Sequence, residues 1–392
     1  MMDFNDTKTA FSMKSMTDLR NAQMLFTAIQ NPGLVKVIKH LTNLALKINL
    51  PVAWIVKPTL YRQFVGGESL EQCAKTVDML KEYNIKSVLD YSAEGGSAIE
   101  DVSRAFNETM RSIEYAKGKE NIAYTVFKPT AMVIGSVLTK ASKDISTLNE
   151  VERAELENFK SRVTQLCQRA YDNDVRILID AEHYATQGII DSVAEMVMRK
   201  FNNKRAIVFQ TLQMYRKDRL EYLKYLYEDA KEYNYIPGIK FVRGAYMDEE
   251  RALAAQLGYP DPIHPDKYST DKCYDSGLKF VMERIESFEL FSGTHNYQSN
   301  MLLADLIDAK GLRRDDQRVF FSQLYGMSDN ISFTLASEGF NVCKYVPYAP
   351  VKEVLPYLLR RAEENTSMAG QTGRELELIR AEIARRGDRA HL

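Results

Sequence analysis

The stretch VCKYVPYAPVKEVLPYLLRRAEEN, residues 342–365, reads as a short buried strand, a turn and a helix. Val342, Tyr345 and Val346 suit a strand, which Pro347 and Pro350 are expected to end. Pro356 is expected at the first helical position, where its missing N–H costs nothing. On that helix Tyr357, Arg360 and Arg361 are three and four positions apart and share a face. Two planar, permanently charged guanidinium forks at the mouth of a strand–helix unit make a carboxylate clamp. Taken alone, Arg360 with Glu364 is equally an ordinary surface pair worth about 0.3–0.5 kcal/mol. The rest of the chain decides between the two.

Working outward, the same grammar repeats. Short apolar runs at 87–91, 123–128, 175–181, 206–211, 238–243, 291–295, 319–323 and 342–346 give eight candidate strands. Amphipathic stretches at 99–115, 150–171, 189–201, 218–233, 271–287 and 299–309 lie between them. Strand–helix alternation means parallel strands joined by right-handed crossovers. Eight such units in about 280 residues suit a closed (β/α)8 barrel. An open doubly wound sheet is the alternative, but no GxGxxG follows the first strand.

The chain therefore divides into a helical arm at 1–85, a barrel at 86–365 and a tail at 366–392. The tail carries an amphipathic helix at 375–385, with Gly370 and Gly373 as a hinge at its start. In the arm, Asn31-Pro32-Gly33 separates two helices, the second at 34–48. From Leu19 to Gly67 there is no acidic residue, but there are Arg20, Lys36, Lys39, Lys47, Lys57, Arg62 and the single tryptophan, Trp54. That pattern fits an arm packed on the main body with its lysines in water, or a peripheral membrane contact.

Lys+Arg is 52 and Asp+Glu is 53 in 392 residues, a balance that argues against a nucleic-acid binder. Hydrophobic content of 45% fits a folded globule. Cys73, Cys167, Cys273 and Cys343 are scattered without CxxC or zinc spacing, so reduced thiols in a reducing compartment are expected. No apolar run reaches membrane-spanning length, and the first residues resemble neither a secretory signal nor an Arg-rich transit peptide.

In such a barrel function collects where the strands end. Those ends are Lys128, Asp180 with Glu182, Gln210, Arg243, Thr294-His295-Asn296, Gln323 and Tyr345. With Arg360 and Arg361 the ring holds four cations, which Asp180 and Glu182 balance only in part, so an anionic ligand is expected. His183, His264 and His295 lack metal-site spacing, and there is no phosphate loop and no GxSxG elbow. Lys128 fits a Schiff-base lysine or a plain cation for a carboxylate.

The motifs FKPTAM (127–132), DAEHY (180–184), FVRGAY (241–246), GTHN (293–296), SQLYGMSDNISF (322–333) and KYVPYAPVKEVLPYLLRRAEEN (344–365) together resemble the FAD-dependent proline dehydrogenases across 85–370. RALAAQLGYPDPIHP (251–265) resembles the single-function, mitochondrial-type branch, with no aldehyde dehydrogenase or DNA-binding module. The resemblance implies an α/β fold, a distorted (β/α)8 TIM barrel with an N-terminal helical arm and a C-terminal helix, holding FAD at its C-terminal face. It implies oxidation of L-proline to 1-pyrroline-5-carboxylate by hydride transfer to flavin N5, the first step of proline breakdown to glutamate, with a membrane quinone as acceptor.

Carried over by motif, Lys128, Arg360 and Arg361 hold the proline carboxylate, Asp180 supports them, and Tyr345 and Tyr357 wall the ring. Arg243 is the catalytic cation near the flavin's reactive nitrogen, and Gln210 bonds the isoalloxazine. Gly244, Ala245, Thr294, His295, Asn296, Gln323 and Glu364 line the rest of the FAD. Met247 departs from the Trp of some bacterial members, which leaves that cofactor contact open. No base for the proline nitrogen is named. The protein is expected in the cytoplasm, peripheral on the inner membrane, or alternatively in mitochondria. Rival readings are a flavin dehydrogenase for hydroxyproline or another cyclic amine, a lyase or aldolase using Lys128 covalently, and a non-catalytic binding barrel.

Overall fold

Eight parallel strands follow one another in chain order around a closed barrel. This computed structural model describes residues 2–31, 33, 56–92, 98–367 and 369–389, with backbone alone at 362–367, 369–372, 388 and 389. The expected second arm helix at 34–48 and Trp54 lie outside the described residues. The strands are β1 (Ile85–Tyr91), β2 (Ile122–Phe127), β3 (Arg176–Ile179), β4 (Val208–Gln213), β5 (Gly238–Val242), β6 (Glu289–Gly293), β7 (Val319–Leu324) and β8 (Val342–Tyr348). All eight coincide with the runs read from the sequence. The helices used below are α1 (Met16–Ile29), α2 (Leu70–Lys81), α3 (Ile99–Ala116), α4 (Glu150–Asp172), α5 (Tyr184–Phe201), α6 (Arg219–Tyr233), α7 (Met247–Leu257), α8 (Lys267–Glu283), α9 (Tyr297–Ala309), α10 (Asp329–Ser337), α11 (Val351–Ser367) and α12 (Ala369–Arg389).

Contacts gather into two compact units, Met1–Gly95 with Gln323–Leu392, and Gly96–Ser322. In the second unit, helix starts are written in the sequence. Asn149 and Glu152 form a capping box on α4, and Asp266 caps α8 through the Ser269 N–H. The strand interior is aromatic at its lower end. Tyr124 of β2 meets Phe209, Phe291 and Phe320 edge-on at 5.2, 4.9 and 5.3 Å. Arg176, the first residue of β3, lies over Tyr124 and Phe320 and pairs with Glu289 at 2.8 Å. Side chains alternate faces along a strand, so these inward residues set the parity of everything above them. Lys240 registers with Phe291 and with Thr211, and is inward. Thr211 and Gln213 follow Phe209 inward, and Gln210 faces the helices.

In the first unit, α1 opens with a Ser15–Asp18 capping box and buries Leu19, Phe26 and Ile29 in a core with Phe64, Val354, Leu358, Leu376 and Ile379. Two proline expectations fail here. β8 runs through Pro347 to Tyr348, and the Pro347 carbonyl accepts the Gly66 N–H at 2.9 Å. A proline near a strand end forfeits one donor while its carbonyl stays usable. The proline at the helix entry is Pro350, whose carbonyl takes the Glu353 and Val354 N–H groups. Pro356 sits inside α11, a position that costs about 3 kcal/mol in an unsupported helix. Burial of Val354, Leu355, Tyr357 and Leu358 offsets it. The tail helix also starts earlier than expected, so Gly370 and Gly373 lie within α12.

Candidate active site

The inward face of β3 to β5 carries a buried ion pair. Asp180, just past β3, accepts from the Lys240 ammonium at 2.6 Å, with side chains 18% and 7% exposed. Buried charges persist only when paired. Reading strand ends one residue at a time misses Lys240. The alternation Ile239-Lys240-Phe241, with both apolar neighbours fully buried, is the signal that finds it.

Lys128 follows β2 at the start of the Pro129–Met132 turn. That turn is tied by Thr130, which donates its N–H and hydroxyl to Glu182 at 2.7 and 2.5 Å. Burial pushes the Glu182 carboxyl above its usual range, although the Thr130 hydrogen bonds and the Lys128 charge oppose this. Asp180, Glu182 and Lys128 therefore stand on two adjacent loops that Thr130 links.

Two expected cofactor contacts are placed differently. Gln210 donates to Asp191 of α5 at 2.7 Å and shares Tyr222 of α6 at 2.9 Å, on the helix side of β4. Gln213, three residues on, faces inward. Its Oε1 and the Thr211 hydroxyl are buried and make no hydrogen bond, which is the condition a planar hydrogen-bonding ring relieves. Arg243 does not join the inward cations. One β residue beyond Val242, it turns to the helix layer. It donates to Asp271, Thr294 and Ser299 at 2.7, 2.6 and 3.0 Å and lies over Tyr274 at 4.5 Å. Burial raises the Asp271 carboxyl, but Lys267 and Arg243 outweigh it and hold the group below its usual range.

Gly244 has φ +136°, and a Cβ there would lie 2.5 Å from the Tyr215 ring, so the glycine is required by packing. Ala245 is exposed beside it. Thr294 also accepts the Asn296 N–H, and Asn296 caps α9 through the Ser299 N–H. His295 is partly buried between them.

In the first unit, Tyr345 on β8 and Tyr357 on α11 are buried. The Arg361 guanidinium lies 5.1 Å over the Tyr357 ring, so the expected shared helix face is present. Arg360 is partly buried on the same helix. Gln323 accepts from Ser332 of α10 at 2.8 Å, on the helix side of its strand. The Glu364 side chain lies outside the described residues.

A family model described as proline dehydrogenase matches residues 73–374. Carbapenem antibiotics biosynthesis protein CarD of Pectobacterium carotovorum is 33% identical over 82% of this chain and 83% of its own length. Proline dehydrogenase 2, mitochondrial, of Arabidopsis thaliana is 33% identical over 85% of this chain and 79% of its own. Among solved structures, proline utilization A from Bdellovibrio bacteriovorus, inactivated by N-propargylglycine, superposes with a TM-score of 0.72 at 22% identity. The match covers 92% of this chain but 38% of that one, and shows the barrel fold.

Proposed function

The chain belongs to the proline dehydrogenase family, and we propose that it oxidises L-proline to 1-pyrroline-5-carboxylate with FAD, the electrons passing to a membrane quinone. The observation that carries this reading is the inward face of β3 to β5. There the Asp180–Lys240 pair stands in register with Thr211, two residues before Gln213, and the Thr211 hydroxyl and the Gln213 Oε1 are buried without hydrogen bonds.

FAD supplies the two-electron acceptor: two electrons and two protons leave the C5–N unit of proline as its C=N bond forms. The chain's part is to bind, orient and exclude water. Lys128 in the second unit, and Arg360 and Arg361 in the first, are cations of the kind that take a substrate carboxylate by charge-assisted hydrogen bonds. Asp180, neutralised by Lys240, keeps Lys128 company without inviting a second anion. Gln213 and Thr211 would hold the flavin ring of the FAD, in place of Gln210. Thr294, just before the N-terminus of α9, and Arg243, which donates to it, would suit its pyrophosphate, since a helix start and a guanidinium both favour anions. Gly244, Ala245, His295 and Asn296 line that end.

Tyr345 and Tyr357 wall the pyrrolidine ring. A tyrosine at 345 crowds a 4-hydroxyl, so kcat/KM for L-proline exceeds that for hydroxyproline, and Tyr345→Ala narrows the ratio. Equal kcat/KM for the two substrates in the unaltered protein contradicts this assignment. The activity itself is tested by turnover of L-proline with a soluble quinone, reading the imine product. Absence of product from flavin-loaded protein would remove the proposal.

A further inference from the structure

His183 joins two loops on which the proposed chemistry depends. It stands three residues past Asp180, directly before α5. Its imidazole packs against Tyr246, the last residue of FVRGAY, with ring centroids 4.1 Å apart and the planes tilted by 35°. Nδ1 lies 3.4 Å from Glu250 and Nε2 lies 3.6 Å from Glu249, both on α7. Glu250 is 1% exposed. One of its oxygens takes the Tyr184 N–H at 2.7 Å, and the other makes no hydrogen bond. The Glu250 N–H in turn bonds the Tyr246 carbonyl at 2.8 Å.

A neutral imidazole has one N–H, whereas the imidazolium has two. With a carboxylate near each ring nitrogen at ion-pair distance, only the charged form turns an N–H toward both. The remaining groups that bear on the pair are Glu182 from the β3 loop, the phenols of Tyr246, Tyr215 and Tyr259, and Arg216, which lies 4.7 Å over the Tyr184 ring.

We propose that His183, as an imidazolium bridging Glu249 and Glu250, is a positioning residue that latches Tyr246 and the start of α7 to the loop bearing Asp180 and Glu182. The Glu250 contact, opposed in part by burial, holds the His183 imidazolium above its usual range, and Glu249 and Glu182 add to it. A cation stabilised by folding gives its full contribution below the ordinary imidazole value. The latch therefore holds in acid and is lost as pH rises through the raised folded value.

The chain has five histidines, few enough to titrate by NMR in the intact holoprotein, with His183→Gln assigning the signal. The expected midpoint lies above about 6.5 and falls in Glu250→Gln, or in Glu249→Gln should the buried change not fold. The kinetic arm rests on the proline reading. The ratio of kcat/KM for L-proline, unaltered protein over His183→Gln, is roughly two- to fivefold near pH 6 and approaches one near pH 9. Taking the ratio cancels the ionisation of the substrate amine. A midpoint at or below about 6.5, or a ratio that is flat across pH, overturns the latch. If neither protein turns over proline, the functional reading fails and the NMR midpoint alone decides the latch.

Discussion

At the scale of single residues, the inward cation of β5 is Lys240, and its neighbour Arg243 works in the helix layer. Asp180 is 18% exposed and has Lys240 at 2.6 Å. Removing the lysine leaves a carboxylate in poor solvent. Lys240→Met is therefore expected to cost roughly 1–3 kcal/mol in urea unfolding. A denaturation midpoint equal to that of the unaltered protein contradicts the buried pair. For the clamp, a charge-assisted hydrogen bond is worth about 1.5–3 kcal/mol. Arg360→Met or Arg361→Met is expected to lower kcat/KM for L-proline by roughly 10–150-fold with FAD retained. Unchanged kcat/KM in both variants removes the two arginines from substrate binding.

At the scale of elements, a buried knot of charge in the first unit ties α12 to the chain beneath it. Lys344 of β8 pairs with Asp329 of α10 at 2.8 Å and donates to the Met327 carbonyl at 2.6 Å. Lys14 approaches Asp329 at 3.7 Å. Glu375 of α12 accepts the Ser328 N–H at 2.8 Å. Arg386, further along α12, donates to the carbonyls of Phe11 and Lys14. Burial, reinforced by Asp329, pushes the Glu375 carboxyl up to about 7. The folded protein thus keeps a proton that the unfolded chain gives up at the ordinary carboxyl value. Stability falls as pH rises from the ordinary value to about 7 and is flat above it. Glu375→Gln removes that slope, so its thermal midpoint drops less than that of the unaltered protein between mildly acidic and mildly alkaline buffer. Parallel midpoint–pH curves contradict the assignment.

At the scale of the whole molecule, the eight-stranded architecture was legible because apolar strands and amphipathic helices alternate regularly from 85 onward. Parity was not. A strand such as VFQTLQ has every position buried, so nothing in its composition tells which glutamine faces inward. The neighbours across the sheet decide it, and they select Gln213 over Gln210. The same blindness hid Lys240 behind Arg243. Pro356 misled for another reason: tertiary burial along α11 tolerates a proline that local propensity excludes. Short helices such as α7, with an exposed and weakly apolar sequence, were also missed, and with them the Glu249–Glu250 partners of His183. Among the described residues no helix is long and apolar enough to cross a membrane. The proposed function requires a flavin that L-proline reduces. Its most direct test is the visible absorbance spectrum of the purified protein, recorded without oxygen before and after adding L-proline. Flavin bands that bleach on addition are the expected result. Flavin bands that persist, or a protein that stays colourless after supply of FAD, would contradict it.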